Sequence, residues 1–279
     1  MNRLIVTAIL RLCLLMSATF AQANPASAAM PLTIGESFDM QSTVLHETRH
    51  INIYFPPGFS ATSSQPLPVL YMPDGGLAED FLHIAGLLQV SVGNATMRPW
   101  LLVGIENTER RRDLTGFTES AEDRKIAVRV GGSQPFRDFI RNELMPQIRQ
   151  RYKTTAETAL VGESLAGLFT LETFVREPDL FGTYIAVDPS LWWNDRKIIA
   201  AAALLQSSAA HAGKSLFIAS SSAPGENQDV HEFATALTTD RIASLRLMIQ
   251  TFPDETHATI YHPAALRAFR ALLAAPEHR

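Results

Sequence analysis

Apolar and polar residues alternate over two neighbouring runs, Ser37 to Val44 and Arg49 to Phe55, with Ile51, Ile53 and Phe55 set against His50, Asn52 and Tyr54. A period of two in adjacent runs predicts a pair of antiparallel edge strands, closed by Pro56-Pro57-Gly58. The pattern then changes. Leu67 to Met72 is apolar throughout, as a strand covered on both faces should be, and it stops at Pro73-Asp74-Gly75-Gly76. Phe81, Ile84, Leu87 and Leu88 follow at helical spacing, and Trp100 to Ile105 is a second fully apolar run. Glu106 to Gly132 has no period and reads as a long loop, which in a compact domain is more often functional than idle. A helix is predicted from Ser133, with Phe136, Phe139, Ile140, Leu144 and Ile148 on its buried stripe and a kink at Pro146.

The second half keeps the same rhythm. A strand ending near Gly162 passes into a helix stopped by Pro178, and Tyr184 to Val187 is the next strand. An Ala-rich helix is expected over about Asp195 to Gln206. Leu216 to Ala219 is then a strand, Ser220 to Gln228 a polar loop, and a helix reaches about Leu237. Leu245 to Thr251 is the last strand, Pro253 to His257 a loop, and Pro263 to Leu273 the closing helix. Strands alternating with helices predict an α/β architecture: a mostly parallel sheet with an antiparallel N-terminal edge and helices on both faces. No repeat or low-complexity linker divides residues 30–279, so a single domain is expected there.

Composition narrows the functional classes. Hydrophobic residues make up 46% of the 279-residue chain, enough for a sizeable core. A formal net charge of -4 without a long basic run argues against nucleic acid as a partner. One cysteine, Cys13, excludes a disulfide framework and a thiolate metal cluster. It lies in a segment that reads as an export signal, residues 1–29: Arg3, an apolar stretch to Phe20, then small-residue sites at Ala21-Gln22-Ala23 and Ala26-Ser27-Ala28. The stretch is short and broken by Arg11, so stable membrane insertion is not expected. The periplasm or the exterior is the predicted location, with cleavage after Ala23 or Ala28.

The candidate chemistry centres on Gly162-Glu163-Ser164-Leu165-Ala166-Gly167, placed between a strand and a helix. Small residues on either side of a serine at such a turn let strand and helix approach closely. The hydroxyl then stands exposed above the sheet, as at the nucleophile elbow of the α/β-hydrolases. His257, in the loop between the last strand and the last helix, is the candidate general base; His262, before Pro263, is its rival and fits better as a helix-terminal residue. The carboxylate that would orient the imidazole is sought after the Leu216–Ala219 strand, where Glu226 and Asp229 both qualify; a Ser–His pair without an acid stays open. An oxyanion site needs two backbone N–H donors, and Leu165 plus Gly75 or Gly76 are the candidates. The remaining histidines show no ligand spacing, so no metal or other cofactor is expected.

These segments resemble a known family when taken in order. The motifs are Leu70-Tyr71-Met72-Pro73-Asp74-Gly75, Arg110-Arg111-Arg112-Asp113-Leu114-Thr115, Phe139 to Pro146, the elbow, Pro189-Ser190-Leu191-Trp192-Trp193 and Glu255-Thr256-His257. Together they look like the esterase family of α/β-hydrolases that includes the siderophore trilactone esterases acting on enterobactin, salmochelin and bacillibactin. The resemblance implies an α/β-hydrolase fold and hydrolysis of carboxylic esters through an acyl-enzyme. It carries Ser164 and His257 over as nucleophile and base, with Gly75 and Leu165 in the oxyanion region. Three positions depart from the family pattern: Glu163 stands where His is common, Asp188 where Ser is, and Gly116 where Pro is. A small-molecule ester is the expected partner, a catecholate siderophore among the candidates. Arg110, Arg111 and Arg112 would attract its negative charge and Trp192 or Trp193 would stack on its rings. Two rival readings keep the scaffold: an acyltransferase passing the acyl group to another hydroxyl, and a non-catalytic siderophore-binding protein.

Overall fold

The apolar runs form one eight-stranded sheet in the order β1-β2-β4-β3-β5-β6-β7-β8. In this computed structural model residues 29–205, 209–237 and 244–274 are described, and the described residues from Ile34 onward form one compact unit. Residues 1–28 of the predicted export signal lie outside the described residues. The alternating pair is the antiparallel edge: β1 (Gly35–Ser42) pairs with β2 (Glu47–Tyr54), and β2 with β4 (Leu101–Ile105). All other neighbours run parallel: β3 (Leu67–Pro73), β5 (Thr154–Glu163), β6 (Thr183–Val187), β7 (Ser215–Ser220) and β8 (Arg246–Thr251).

The apolar runs have no polar face because the sheet is covered on both. Successive residues alternate between two cores. Val69, Tyr71, Leu160 and Ile218 join Phe136, Phe169 and Phe174 on one side. Leu70, Met72, Val161 and Phe217 join Ile84, Leu88, Ala265 and Phe269 on the other. The second core is closed by the helices Phe81–Gly93 and Tyr261–Leu272. Among the described residues no helix is long and apolar enough to cross a membrane.

The structure corrects several predicted boundaries. The stretch from Glu106 to Gly132 is not loop throughout; it holds a helix at Arg110–Leu114 and a 3₁₀ turn at Asp123–Lys125. The first has one apolar anchor, Leu114, and is otherwise fixed by polar partners: fully buried Asp113 accepts from Arg49 (2.6 Å) and Arg112 (2.6 Å), so hydrophobic periodicity carried no signal. At Pro146, where a kink is predicted, the helix changes its hydrogen-bonding pattern. A π-helical segment, Ile140–Leu144, precedes the proline and accommodates the missing N–H between Ser133–Phe139 and Met145–Arg151. The Ala-rich helix begins only at Lys197, after left-handed backbone at Asn194, Asp195 and Arg196. The helix Pro224–Leu237 starts well inside the predicted polar loop.

Candidate active site

Parallel register assembles the site. Glu163 lies opposite Val187, Val187 opposite Ala219, and Ser220 opposite Thr251. The residues that follow these four strands therefore emerge at one edge of the sheet. Ser164 comes directly after β5 with φ 59° and ψ -120°, a left-handed conformation that a serine adopts only when its surroundings enforce it. The enforcement is in the main chain. The Ser164 N–H donates to the Val187 carbonyl (3.0 Å), and the Ser164 carbonyl accepts from Leu168 (2.9 Å) and Ser190 (3.1 Å). A Cβ on Gly162 would sit 2.4 Å from the Ala166 carbonyl oxygen and 2.7 Å from the Ala166 Cβ, so the turn closes only with glycine there and a small residue facing it.

Ser164 and His257 meet. His257 Nε2 is 3.1 Å from the Ser164 Oγ, and its Nδ1 is 2.8 Å from Oδ2 of Asp188. A carboxylate only accepts, so Nδ1 carries the hydrogen and Nε2 turns its lone pair towards the serine. Asp188 follows β6 directly, is fully buried, and takes a left-handed φ of 43°. Its other oxygen accepts the Ser221 N–H (2.7 Å). Burial pushes the Asp188 carboxyl up, but the hydrogen bonds from His257 and Ser221 outweigh it and hold the group below the usual carboxylate range. Ser190, which the sequence did not single out as a site residue, brings its Oγ to 3.4 Å from the Ser164 Oγ.

The place predicted for Glu226 or Asp229 is taken by Asp188. Glu226 and Asp229 lie within the helix Pro224–Leu237 rather than on a loop at the strand end, and Asp229 pairs with Arg196 at 2.7 Å. The carboxylate bound to the histidine comes one strand earlier. Its signal was present: Asp188 directly follows an apolar strand, as Ser164 does, and it is the position where the family pattern has Ser. The rival His262 is in the first turn of Tyr261–Leu272 and stacks on His83, with Nδ1 and Nε2 3.1 Å apart.

The oxyanion candidates separate. Leu165 opens the helix behind Ser164, where a backbone N–H has no partner within its own helix. Gly75 is corrected: its N–H donates to the Ile105 carbonyl at 3.0 Å, so it is not a free donor. Glycine is needed there because a Cβ would lie 2.2 Å from the Ile105 nitrogen. The Gly76 N–H donates to Glu79 Oε2 at 2.7 Å, so this amide already faces a carboxylate oxygen.

The basic segment is also corrected in part. Arg110 forks onto Asp74 through Nε (2.7 Å) and Nη2 (2.8 Å), and holds that residue at φ 55° in the turn after β3. Arg112 forks onto Glu47 at 3.0 and 2.7 Å and reaches Asp113. Both are matched by carboxylates of the chain itself. Arg111 is exposed and lines a cleft of about 200 Å³ with Val128 and Arg129. Trp193 is a buried residue whose Nε1 donates to the Gly116 carbonyl at 2.9 Å, which rules out stacking on a ligand. Trp192 is 43% exposed and meets Trp193 edge-on at 6.0 Å, leaving it the aromatic surface of this pair.

A second carboxylate approaches the histidine. Glu163 Oε1 is 3.3 Å from His257 Nε2, and its side chain is 17% exposed. Burial pushes the Glu163 carboxyl up to about 7; Asp80 and Asp74 add to the rise, while His257 and Arg110 oppose it. Its folded pKa, about 7, lies above the ordinary 4.5, so the native state binds more protons across that window and stability falls as pH rises through it. Glu163→Gln should therefore stabilise the protein by about 2–3 kcal/mol above pH ~8. That corresponds to a rise in Tm of roughly 4–10 °C for a chain of this size. At pH ~4, where the wild-type carboxyl is protonated, no gain is expected. Thermal unfolding followed at both pH values checks this, and equal gains at both would assign the effect to packing instead of charge.

An elbow serine, an imidazole and a buried carboxylate, set in a row at the C-terminal edge of this mixed sheet, define an α/β-hydrolase fold. Within that class the chain belongs to the family described as Putative esterase, which it matches over residues 42–264. It is similar to the siderophore triacetylfusarinine C esterase of Aspergillus fumigatus, 34% identical over 156 residues, half of this chain and 49% of that enzyme. It also resembles the ferri-bacillibactin esterase BesA of Bacillus subtilis, 32% identical over 56% of this chain and 58% of BesA. The matched segments thus span about half the length of these relatives. Among solved structures, an IroE-like serine hydrolase from Shewanella oneidensis superposes with a TM-score of 0.74 at 29% identity, covering 85% of this chain and 79% of that one.

Proposed function

We propose that the protein is an exported serine esterase that hydrolyses carboxylic esters, siderophore esters among them, through an acyl-enzyme. The observation that carries this reading is the row Ser164–His257–Asp188, with contacts of 3.1 and 2.8 Å. Ser164 Oγ attacks the ester carbonyl as His257 Nε2 takes its proton, and Asp188 stabilises the imidazolium through Nδ1–H. The Leu165 N–H at the helix start supports the tetrahedral oxyanion, and a rearranged Gly76 N–H is the second donor once Glu79 yields it. Collapse expels the alkoxide, which takes the proton from Nε2. Water then attacks the acyl-enzyme by the same steps, releasing the acid and regenerating Ser164. The siderophore class is supported by the names of the relatives, export by the pattern of residues 1–29.

The test is active-site labelling with a fluorophosphonate, followed by a hydrolysis screen of short acyl esters and siderophore lactones. One probe per chain, bound at Ser164 and abolishing hydrolysis, is expected. A protein that resists the probe and cleaves none of the esters would remove the esterase reading in favour of a binding role. Product partitioning to added alcohols in place of water would turn it into an acyltransferase.

A further inference from the structure

The proposed mechanism leaves Glu163 unused, although it faces the same imidazole nitrogen as the nucleophile. Its Oε1 is 3.3 Å from Nε2, and the Ser164 Oγ is 3.1 Å from the same atom. The charged and titratable groups around it are His257, Arg110, Asp74 and Asp80, with the buried phenol of Tyr261 sharing the last three as neighbours. Arg110 is matched by its fork to Asp74. An ionised Glu163 is therefore not neutralised by a guanidinium of its own.

This arrangement constrains the substrate. To receive a proton from Nε2, the departing alcohol oxygen must come within about 3 Å of it. With Glu163 3.3 Å on from the same nitrogen, that oxygen is within about 6 Å of a carboxylate. At such a distance a unit charge on the alcohol, next to the cleaved bond, changes binding by roughly three- to a hundred-fold, depending on how far water shields it. We propose that Glu163 is a specificity-determining residue that selects the charge of the ester's alcohol portion, favouring a cationic alcohol over a neutral one and disfavouring an anionic one. The inference rests on Ser164 and His257 being the catalytic pair. Within an ester class it ranks a substrate with an ammonium beside the scissile bond above one with a free carboxylate there.

The experiment uses three butyrate esters: butyrylcholine, its uncharged isostere 3,3-dimethylbutyl butyrate, and 2-sulfoethyl butyrate. Their kcat/KM values are compared by pH-stat at pH 6 and 8. Each ratio compares esters of one acid on one enzyme at one pH, so factors common to all three esters cancel and the charge of the alcohol portion is what differs. In the wild type at pH 8, butyrylcholine should exceed its isostere by about tenfold, with the sulfonate lowest. That preference should shrink several-fold at pH 6, as Glu163 takes up a proton, and also in added salt. Glu163→Gln should bring the cation-to-neutral ratio close to one at both pH values. Equal ratios in wild type and variant, or a wild-type ratio that ignores both pH and salt, would overturn the proposal. The wild-type arms decide it even where the variant fails to fold. Hydrolysis of all three esters at equal rates sinks this inference alone, whereas no hydrolysis together with no probe labelling removes the catalytic reading as well.

Discussion

Asp188→Asn should leave a folded protein whose kcat for ester hydrolysis is lower by about 10⁴-fold, the scale seen when an amide replaces the carboxylate of a serine-hydrolase triad. The two oxygens of Asp188 accept from two directions, His257 Nδ1 at 2.8 Å and the Ser221 N–H at 2.7 Å. A carboxamide has one oxygen. If it serves the Ser221 amide, its NH₂ faces Nδ1 and demands a lone pair there, which moves the hydrogen to Nε2. His257 can then no longer take the proton of Ser164. The loss should fall on kcat with little change in KM, because no substrate contact is removed. Asp229→Asn is the control: it weakens the pairing with Arg196 named above and leaves the Asp188–His257 contact in place, so kcat should stay within about twofold of wild type. If steady-state rates instead collapse in Asp229→Asn and survive in Asp188→Asn, the assignment of the orienting carboxylate is wrong.

Ser164→Ala should have the larger effect still, about 10⁵–10⁶-fold in kcat, with the residue near the background set by binding and oxyanion stabilisation alone. Removing the Oγ removes the bond that forms in the acyl-enzyme, so no other part of the site can substitute for it in this route. The backbone should be unaffected. The left-handed turn at 164 is held by the N–H to Val187 and the carbonyl contacts from Leu168 and Ser190, none of which uses the hydroxyl. Combining Ser164→Ala with Asp188→Asn should cost no more than Ser164→Ala alone, since both act in one proton-transfer unit. Rates multiplied down by both factors would show that Asp188 works through something other than the serine and histidine. Single-turnover kinetics with purified variants separate these outcomes.

Much of this site could be read before the fold was known, and the gaps have physical causes. Ser164 was legible because its demands are local: glycine at 162, a small residue at 166, an apolar strand before and a helix after. His257 was legible from its place between the last strand and the last helix. Asp188 was passed over in favour of Glu226 and Asp229 because an Asp–Pro after a strand also suits an ordinary turn, and its place after an apolar strand does not by itself reveal that the carboxylate points inward. The arginines fell short as substrate contacts for a similar reason. The carboxylates that Arg110 and Arg112 fork onto, Asp74 and Glu47, lie far from them in the chain, so their charge looked unmatched in sequence. The Gly75 N–H was lost to Ile105, a residue brought beside it only by the parallel pairing of β3 and β4.

Hydrophobic periodicity determined the class of fold on its own, because burial on one face or two is written into each segment by a period of two or by a continuous apolar run. Turn chemistry likewise determined where the candidate nucleophile stands. The tertiary structure alone decided which carboxylate meets the histidine, which amides are free and which guanidinium groups are already matched. Those outcomes depend on register across four parallel strands and on distances of about 3 Å between residues far apart in the chain. Local composition places no constraint on either.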